Sequence, residues 1–90
     1  MSIQSDIGIW HRATFGEGDL WHRIIDKMRE EFGEFLDDCG EPSELADIVI
    51  CCYAYADRLG WDLDTEVRAK FVEVEKRTNQ VERDAARGIV

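Results

Sequence analysis

Residues 42–60 read PSELADIVICCYAYADRLG, and every position from Ile48 to Ala56 is apolar, cysteine or tyrosine. A run without a polar face is typical of an element that is buried on nearly all sides. The alanines in this stretch and its Leu59-Gly60 ending favour helix over strand, because alanine is the best helix former and glycine commonly follows a helix. We therefore predict a buried helix that begins near Pro42-Ser43.

Two helices are predicted before this one. The first covers roughly residues 3–14, where Ile3, Ile7 and Trp10 have helical spacing. The second covers roughly residues 20–38, with Asp19 as a candidate cap. Its apolar residues fall within one arc of a helical wheel: Leu20, Trp21, Ile24, Ile25, Met28, Phe32, Phe35 and Leu36. Gly40 is expected to end this helix in the left-handed conformation.

A fourth helix is predicted to begin near residues 62–64. Its apolar seam runs in steps of four or three residues, as in helices that pack along their length. The seam consists of Leu63, Val67, Phe71, Val74, Val81 and Ala85, with Thr78 filling one register position. No segment alternates with period two over a useful length. The chain is therefore predicted to be an all-α helical bundle, with residues 1–90 as one domain.

Composition limits the classes of function. The formal net charge of −9 disfavours binding to DNA or RNA as polymers. The apolar run is far too short to span a membrane. Three cysteines, an odd number without a CxxC pair, suggest a reduced cytoplasmic compartment. A 90-residue domain has little surface to bury, so we expect oligomerisation to supply further apolar burial.

Four carboxylates stand at positions that solvation explains poorly. Glu31 falls inside the apolar arc of the second helix, and Glu34 lies one turn later on the margin of that arc. Glu44 and Asp47 repeat the three-residue offset at the start of the buried helix. If the two helices form an antiparallel hairpin, four oxygen donors converge, and such a set suits Mg²⁺ or Mn²⁺ rather than zinc. Each ExxE-type pair alone is more commonly a solvated polar face.

Several other side chains are candidates with ordinary alternatives. Lys70 and Arg77 lie beside the seam of the fourth helix, about 10 Å apart along its axis, and are candidates for phosphate contacts or for ion pairs with Glu66 and Glu73. Arg58 shares a wheel face with Glu44 and Asp47. Four aromatic residues are candidates for stacking on a base or for packing: Trp10, Phe15, Trp21 and Trp61.

Together with their context, the acidic residues resemble the ExxE…ExxD signature of MazG-like all-α nucleoside triphosphate pyrophosphohydrolases. The resemblance covers roughly residues 20–77. Residues 29–35 are similar to the first metal helix of the family, residues 44–50 to the second, and residues 67–71 with Arg77 to the helix that follows. The upstream Trp10…Thr14-Phe15-Gly16 is similar to compact members often carried by phages. Val74 departs from the pattern, since many members have asparagine there.

The resemblance implies hydrolysis of a nucleoside triphosphate to the monophosphate and pyrophosphate, with purine deoxynucleotides suggested by the phage-type similarity. Glu31, Glu34, Glu44 and Asp47 would bind two or more Mg²⁺ ions, or Mn²⁺ in their place. One carboxylate, for which Glu34 is a candidate, would accept a proton from water. Lys70 and Arg77 would contact phosphates in a homodimer or homotetramer whose sites are completed by neighbouring subunits.

Two other functions stay open from the sequence. One is a non-catalytic acidic helical module that dimerises and binds a protein. The other is a carboxylate-bridged redox-metal protein, although a di-iron bundle would usually supply Glu-x-x-His and neither acidic pair here has the histidine.

Overall fold

The computed structural model describes residues 2–18 and 20–86, with side chains described as far as Arg77. This part of the chain contains four helices and no strand: α1 (Ile3–Phe15), α2 (Trp21–Asp37), α3 (Pro42–Arg58) and α4 (Leu63–Ala86). The predicted all-α class is therefore confirmed. The candidate cap Asp19, the side chains of Thr78, Val81 and Ala85 in the predicted seam, and residues 87–90 lie outside the described residues.

Helix α3 is the centre of the molecule, and it packs against α2, α1 and, less extensively, α4. The buried apolar residues come from three helices and are Ile7, Ile24, Ala54 and Ala56. The prediction that α3 is buried on nearly all sides is wrong for the single chain, because Val49 and Ile50 are 43% and 40% exposed. These two side chains lie on a part of α3 that the other three helices leave uncovered.

The helix ends show which glycine predictions were right. Gly60 has a φ of 74° and follows α3 as expected. Gly40 does not have positive φ, so its predicted role at the end of α2 is wrong. Helix α2 stops earlier, at Asp37, because Asp38 adopts an extended φ of −143° while its N–H still bonds to the carbonyls of Glu34 and Phe35. The chain turns without needing a left-handed residue there.

Helix α4 is the least covered element of the fold. Val67 and Phe71, at the start of its predicted seam, are 56% and 58% exposed. The molecule measures 55 × 30 × 23 Å with a radius of gyration of 17.1 Å, whereas a compact domain of this length would have about 12 Å. In the described part of the chain, the other helices therefore leave the α4 seam at Val67 and Phe71 uncovered. Among the described residues, no helix combines the length and apolarity needed to cross a membrane.

Helix α1 is fastened to the carboxyl end of α3 by polar contacts. Arg12 Nη1 lies 2.6 Å from Asp57 Oδ2, and Arg58 Nη2 lies 2.8 Å from His11 Nδ1. Gly8 permits this approach, because a Cβ at that position would overlap the Asp57 carboxylate. The helix is therefore held in a fixed position over α3 rather than lying loosely on it.

We expect Gly8→Ala to lower the free energy of unfolding by about 1–3 kcal/mol, because the added methyl must displace a carboxylate that Arg12 holds. Gly33→Ala is the matched control: Gly33 is also helical, and a Cβ there meets nothing within 4 Å. Alanine should stabilise α2 at that position by up to about 1 kcal/mol. Thermal unfolding at one fixed protein concentration measures both, and equal effects of the two substitutions would contradict the close packing of α1.

Candidate metal centre

The hairpin of α2 and α3 brings three carboxylates together. Residues 38–41 connect the helices, so the last turns of α2 lie opposite the first turns of α3. Pro42 begins α3, and the Glu41 side chain accepts a hydrogen bond from the Ser43 N–H, which places Glu44 in the first turn. One oxygen each of Glu31, Glu44 and Asp47 lie within 4.8 Å of one another. We call these three residues the acid cluster.

Two buried oxygens of the acid cluster are left unsatisfied by the part of the chain that the structure describes. Glu31 is only 7% exposed, as its place in the apolar arc predicted. Lys27 Nζ forms an ion pair with Glu31 Oε1 at a distance of 2.8 Å. Among the described residues, the buried Oε2 atoms of Glu31 and Glu44 have no hydrogen-bond partner. A buried carboxylate oxygen without a partner is costly unless it is paired or binds a metal.

The pKa values in the cluster reflect this crowding of negative charge. The hydrogen bond from Lys27 lowers the pKa of Glu31 despite its burial. Burial raises the pKa of Glu44, and the charges of Asp47 and Glu31 raise it further. Protonation of Glu44 is therefore easier than in water. A divalent cation would relieve the same repulsion without a proton, and an all-oxygen donor set fits Mg²⁺ or Mn²⁺.

Glu34 is not one of the three clustered acids, but it contacts Glu31. It is exposed and stands one turn beyond Glu31 on α2. Its pKa is raised, first by a hydrogen bond to the Glu31 carboxylate and then by the negative charge of that group. The structure thus brings together three of the four predicted carboxylates and leaves the fourth beside them, at the solvent side.

The predicted cations are not at the acid cluster within this chain. Lys70 Nζ lies 3.1 Å and Arg77 Nη2 lies 3.7 Å from the same Glu73 carboxylate on α4. Arg58 was predicted on the wheel face of the acids, but it stands at the other end of α3 and bonds to His11 and Gly18. Several turns of helix separate this arginine from Glu44, so sharing a wheel face did not bring them together.

The sequence interpretation missed Lys27, although a signal was available. Lys27 and Glu31 are four residues apart on α2, the spacing at which side chains on a helix meet. Since Glu31 was already singled out, its helical neighbours could have been tested for a counter-ion. The lysine leaves one oxygen of Glu31 unpaired, so the cluster keeps its capacity for a cation.

Comparison with known proteins gives one match. Residues 18–87 match the model of the MazG-like family. No curated protein and no solved structure matches the chain. The matched range includes α2, α3 and the whole acid cluster, and it excludes α1.

Proposed function

Because the chain belongs to the MazG-like family, we propose that it is a divalent-metal-dependent hydrolase that converts a nucleoside triphosphate into a nucleoside monophosphate and pyrophosphate. The observation that carries this proposal is the acid cluster, with its two buried and unpartnered carboxylate oxygens. Family membership alone suggests a pyrophosphohydrolase type of activity. Cations bound at the cluster would neutralise the negative charge of a triphosphate.

In this proposal Glu31, Glu44 and Asp47 hold Mg²⁺, with Mn²⁺ as a substitute, and Glu34 adds a ligand or acts beside them. Two or more ions per site fit the number of carboxylates. When bound, the ions offset the charge of the triphosphate and make a bound water more acidic. The link between the α- and β-phosphates is broken, and the water contributes its oxygen to one product and a proton to the site.

Glu34 is the proposed acceptor of that proton. A base must lie within hydrogen-bond reach of the water that it deprotonates, directly or through one further water, and Glu34 lies beside Glu31 at the edge of the acid cluster. Its exposure on the solvent side lets it exchange the proton with bulk water after each turnover.

A homodimer or homotetramer is part of the proposal. Three apolar side chains of α4 are about half exposed, namely Val67, Phe71 and Val72. A second copy that covered them would supply burial that a chain of this size lacks. Lys70 and Arg77 lie on the same helix, so we propose that such contacts carry them to the phosphates of a neighbouring subunit. Light scattering should give a mass of two or four times 10.4 kDa, and a single-chain mass would contradict this arrangement.

A pyrophosphate-release screen tests the proposed activity. The purified protein is incubated with Mg²⁺, and separately with Mn²⁺, and with each of the eight common ribo- and deoxyribonucleoside triphosphates. We expect release of pyrophosphate and the matching monophosphate from at least one of them, with purine deoxynucleotides among the substrates. Failure to release pyrophosphate from any of the eight would overturn the proposal and favour a non-catalytic helical module.

A further inference from the structure

A cavity of about 530 Å³ extends from the acid cluster to α1, and its volume lies in the usual range for a small-molecule site. Glu31 and Asp47 line one end. At the other end, α1 contributes Trp10, His11 and Phe15. Trp21 and Trp61, the other two candidates for stacking, do not line this cavity. Because the match to the family model begins at residue 18, the aromatic end is built by a helix outside the matched range.

The aromatic end is a wall of rings that the fold has not buried. The Trp10 and Phe15 rings meet edge-on with centroids 5.9 Å apart, and the His11 ring lies 4.7 Å from Phe15. Trp10 and Phe15 nevertheless stay 53% and 48% exposed. Large aromatic side chains gain most when their faces are covered. The wall therefore offers apolar ring surface to whatever enters the cavity.

The polar contacts that fasten α1 to α3 also hold the wall in place. Arg12 ties α1 to Asp57, and Arg58 bonds to the His11 ring. Burial and the nearby Arg58 and Arg12 charges lower the pKa of His11, while Asp57 opposes them. A lowered pKa favours the neutral ring, whose Nδ1 lies 2.8 Å from Arg58 Nη2. His11 is therefore part of the wall as a ring that Arg58 holds in place.

Two cations lie between the wall and the acid cluster. Arg23 and Lys27 line the cavity and stand eight and four residues before Glu31 on α2, which corresponds to about 12 Å and 6 Å along the helix axis. Asp26 and Glu30 of the same helix also line the cavity, so the cations stand among acids rather than in a separate zone. A nucleoside triphosphate has a base at one end and metal-binding phosphates at the other, which matches the rings of α1 and the acid cluster.

We infer that the α1 wall is a nucleobase subsite, in which the base of the triphosphate stacks against Trp10 and Phe15. This inference rests on the proposed hydrolase function, because that function places the triphosphate at the acid cluster and therefore the base at the α1 end. Stacking of a base on an aromatic side chain contributes about 1–3 kcal/mol. Removing either ring should therefore weaken binding of a nucleotide by roughly 5- to 150-fold, without weakening the binding of a ligand that has no base.

The test compares Trp10→Ala and Phe15→Ala with Ile9→Ala, which removes an exposed apolar side chain of the same helix that does not line the cavity. For the best substrate of the wild type, KM should rise at least about 5-fold in the two aromatic variants and stay within about two-fold in the control. The kcat and the inhibition constant of pyrophosphate, which has no base, should not change. Trp10→Phe keeps a ring and should restore KM.

Binding without turnover gives a second measurement. A triphosphate analogue with a methylene group in place of the oxygen that bridges the α- and β-phosphates is not hydrolysed at that link. With Mg²⁺ it should quench the tryptophan fluorescence of the wild type, and Trp10→Phe should lose that quenching while keeping the affinity measured by calorimetry. If the wild type releases pyrophosphate but Trp10→Ala and Phe15→Ala keep its KM, the nucleobase subsite is wrong and the hydrolase stands. If quenching and affinity behave as expected but no pyrophosphate appears, the subsite stands and the hydrolase fails.

Discussion

Glu31→Gln is expected to lower kcat for pyrophosphate release by about 10²- to 10³-fold, which corresponds to roughly 3–4 kcal/mol of transition-state stabilisation. Glu31 is the most buried member of the acid cluster, and one of its oxygens has no partner among the described residues. An amide in its place keeps the size but replaces an anionic ligand with a weaker neutral one. The loss should appear in kcat, because the cations stabilise charge that develops during the reaction.

The same substitution should leave the helices folded. It removes the ion pair with Lys27, which is about half exposed, and it also removes repulsion from Glu44 and Asp47. These effects oppose each other, and pairs with an exposed partner contribute little. The helical circular dichroism and the melting temperature should stay near those of the wild type, so that a loss of activity reports on the site and not on unfolding.

Asp37→Asn is the matched control for this prediction. It removes the same charge from the last residue of α2, an exposed acid that is not one of the three clustered acids and does not line the cavity beside them. We expect its kcat to stay within about three-fold of the wild type, since an exposed acid outside the cluster makes little difference to the reaction. Equal losses in both variants would show that activity depends on the general acidity of α2 rather than on a site at Glu31.

The sequence was sufficient for the helices because their signals are local. The apolar run from Ile48 to Ala56 and the wheel pattern of α2 depend only on neighbours within a few turns. The end of α2 was harder, because whether the chain leaves a helix at Asp38 or Gly40 depends on how the next helix is placed. The exposure of Val49 and Ile50 could not be predicted either, since burial depends on which helices cover α3.

The prediction of the acid cluster depended on one assumption, that α2 and α3 form an antiparallel hairpin. Spacing placed Glu31 in the apolar arc, and the short connection to α3 made convergence with Glu44 and Asp47 a geometric consequence. Lys70 and Arg77 are different, because no spacing rule says which molecule their helix will contact. Their observed partner is Glu73 on the same helix, which is the ordinary alternative that the sequence allowed.

Divalent metal is expected to stabilise the protein strongly in the absence of any nucleotide. The folded chain gathers the acid cluster within 4.8 Å, whereas the unfolded chain does not, so a cation binds mainly to the folded state. At a free Mg²⁺ or Mn²⁺ concentration 100 times Kd, the gain is about 2.7 kcal/mol. For a domain of this size that gain raises the melting temperature by roughly 10–20 °C. Chelator should reverse the shift.

Glu44→Gln should abolish most of this shift, because it removes a cluster ligand whose buried oxygen has no other partner. In metal-free buffer the variant should be at least as stable as the wild type, since burial and the charges of Asp47 and Glu31 already disfavour the ionised form of Glu44. Asp37→Asn should keep the full shift. Sodium chloride at matched ionic strength controls for screening of the −9 net charge. If salt alone reproduces the stabilisation, or if chelator leaves the wild type unchanged after metal is added, the carboxylates are not a metal centre. The chain would then fit a non-catalytic acidic module, because the stability of such a module does not depend on bound cations.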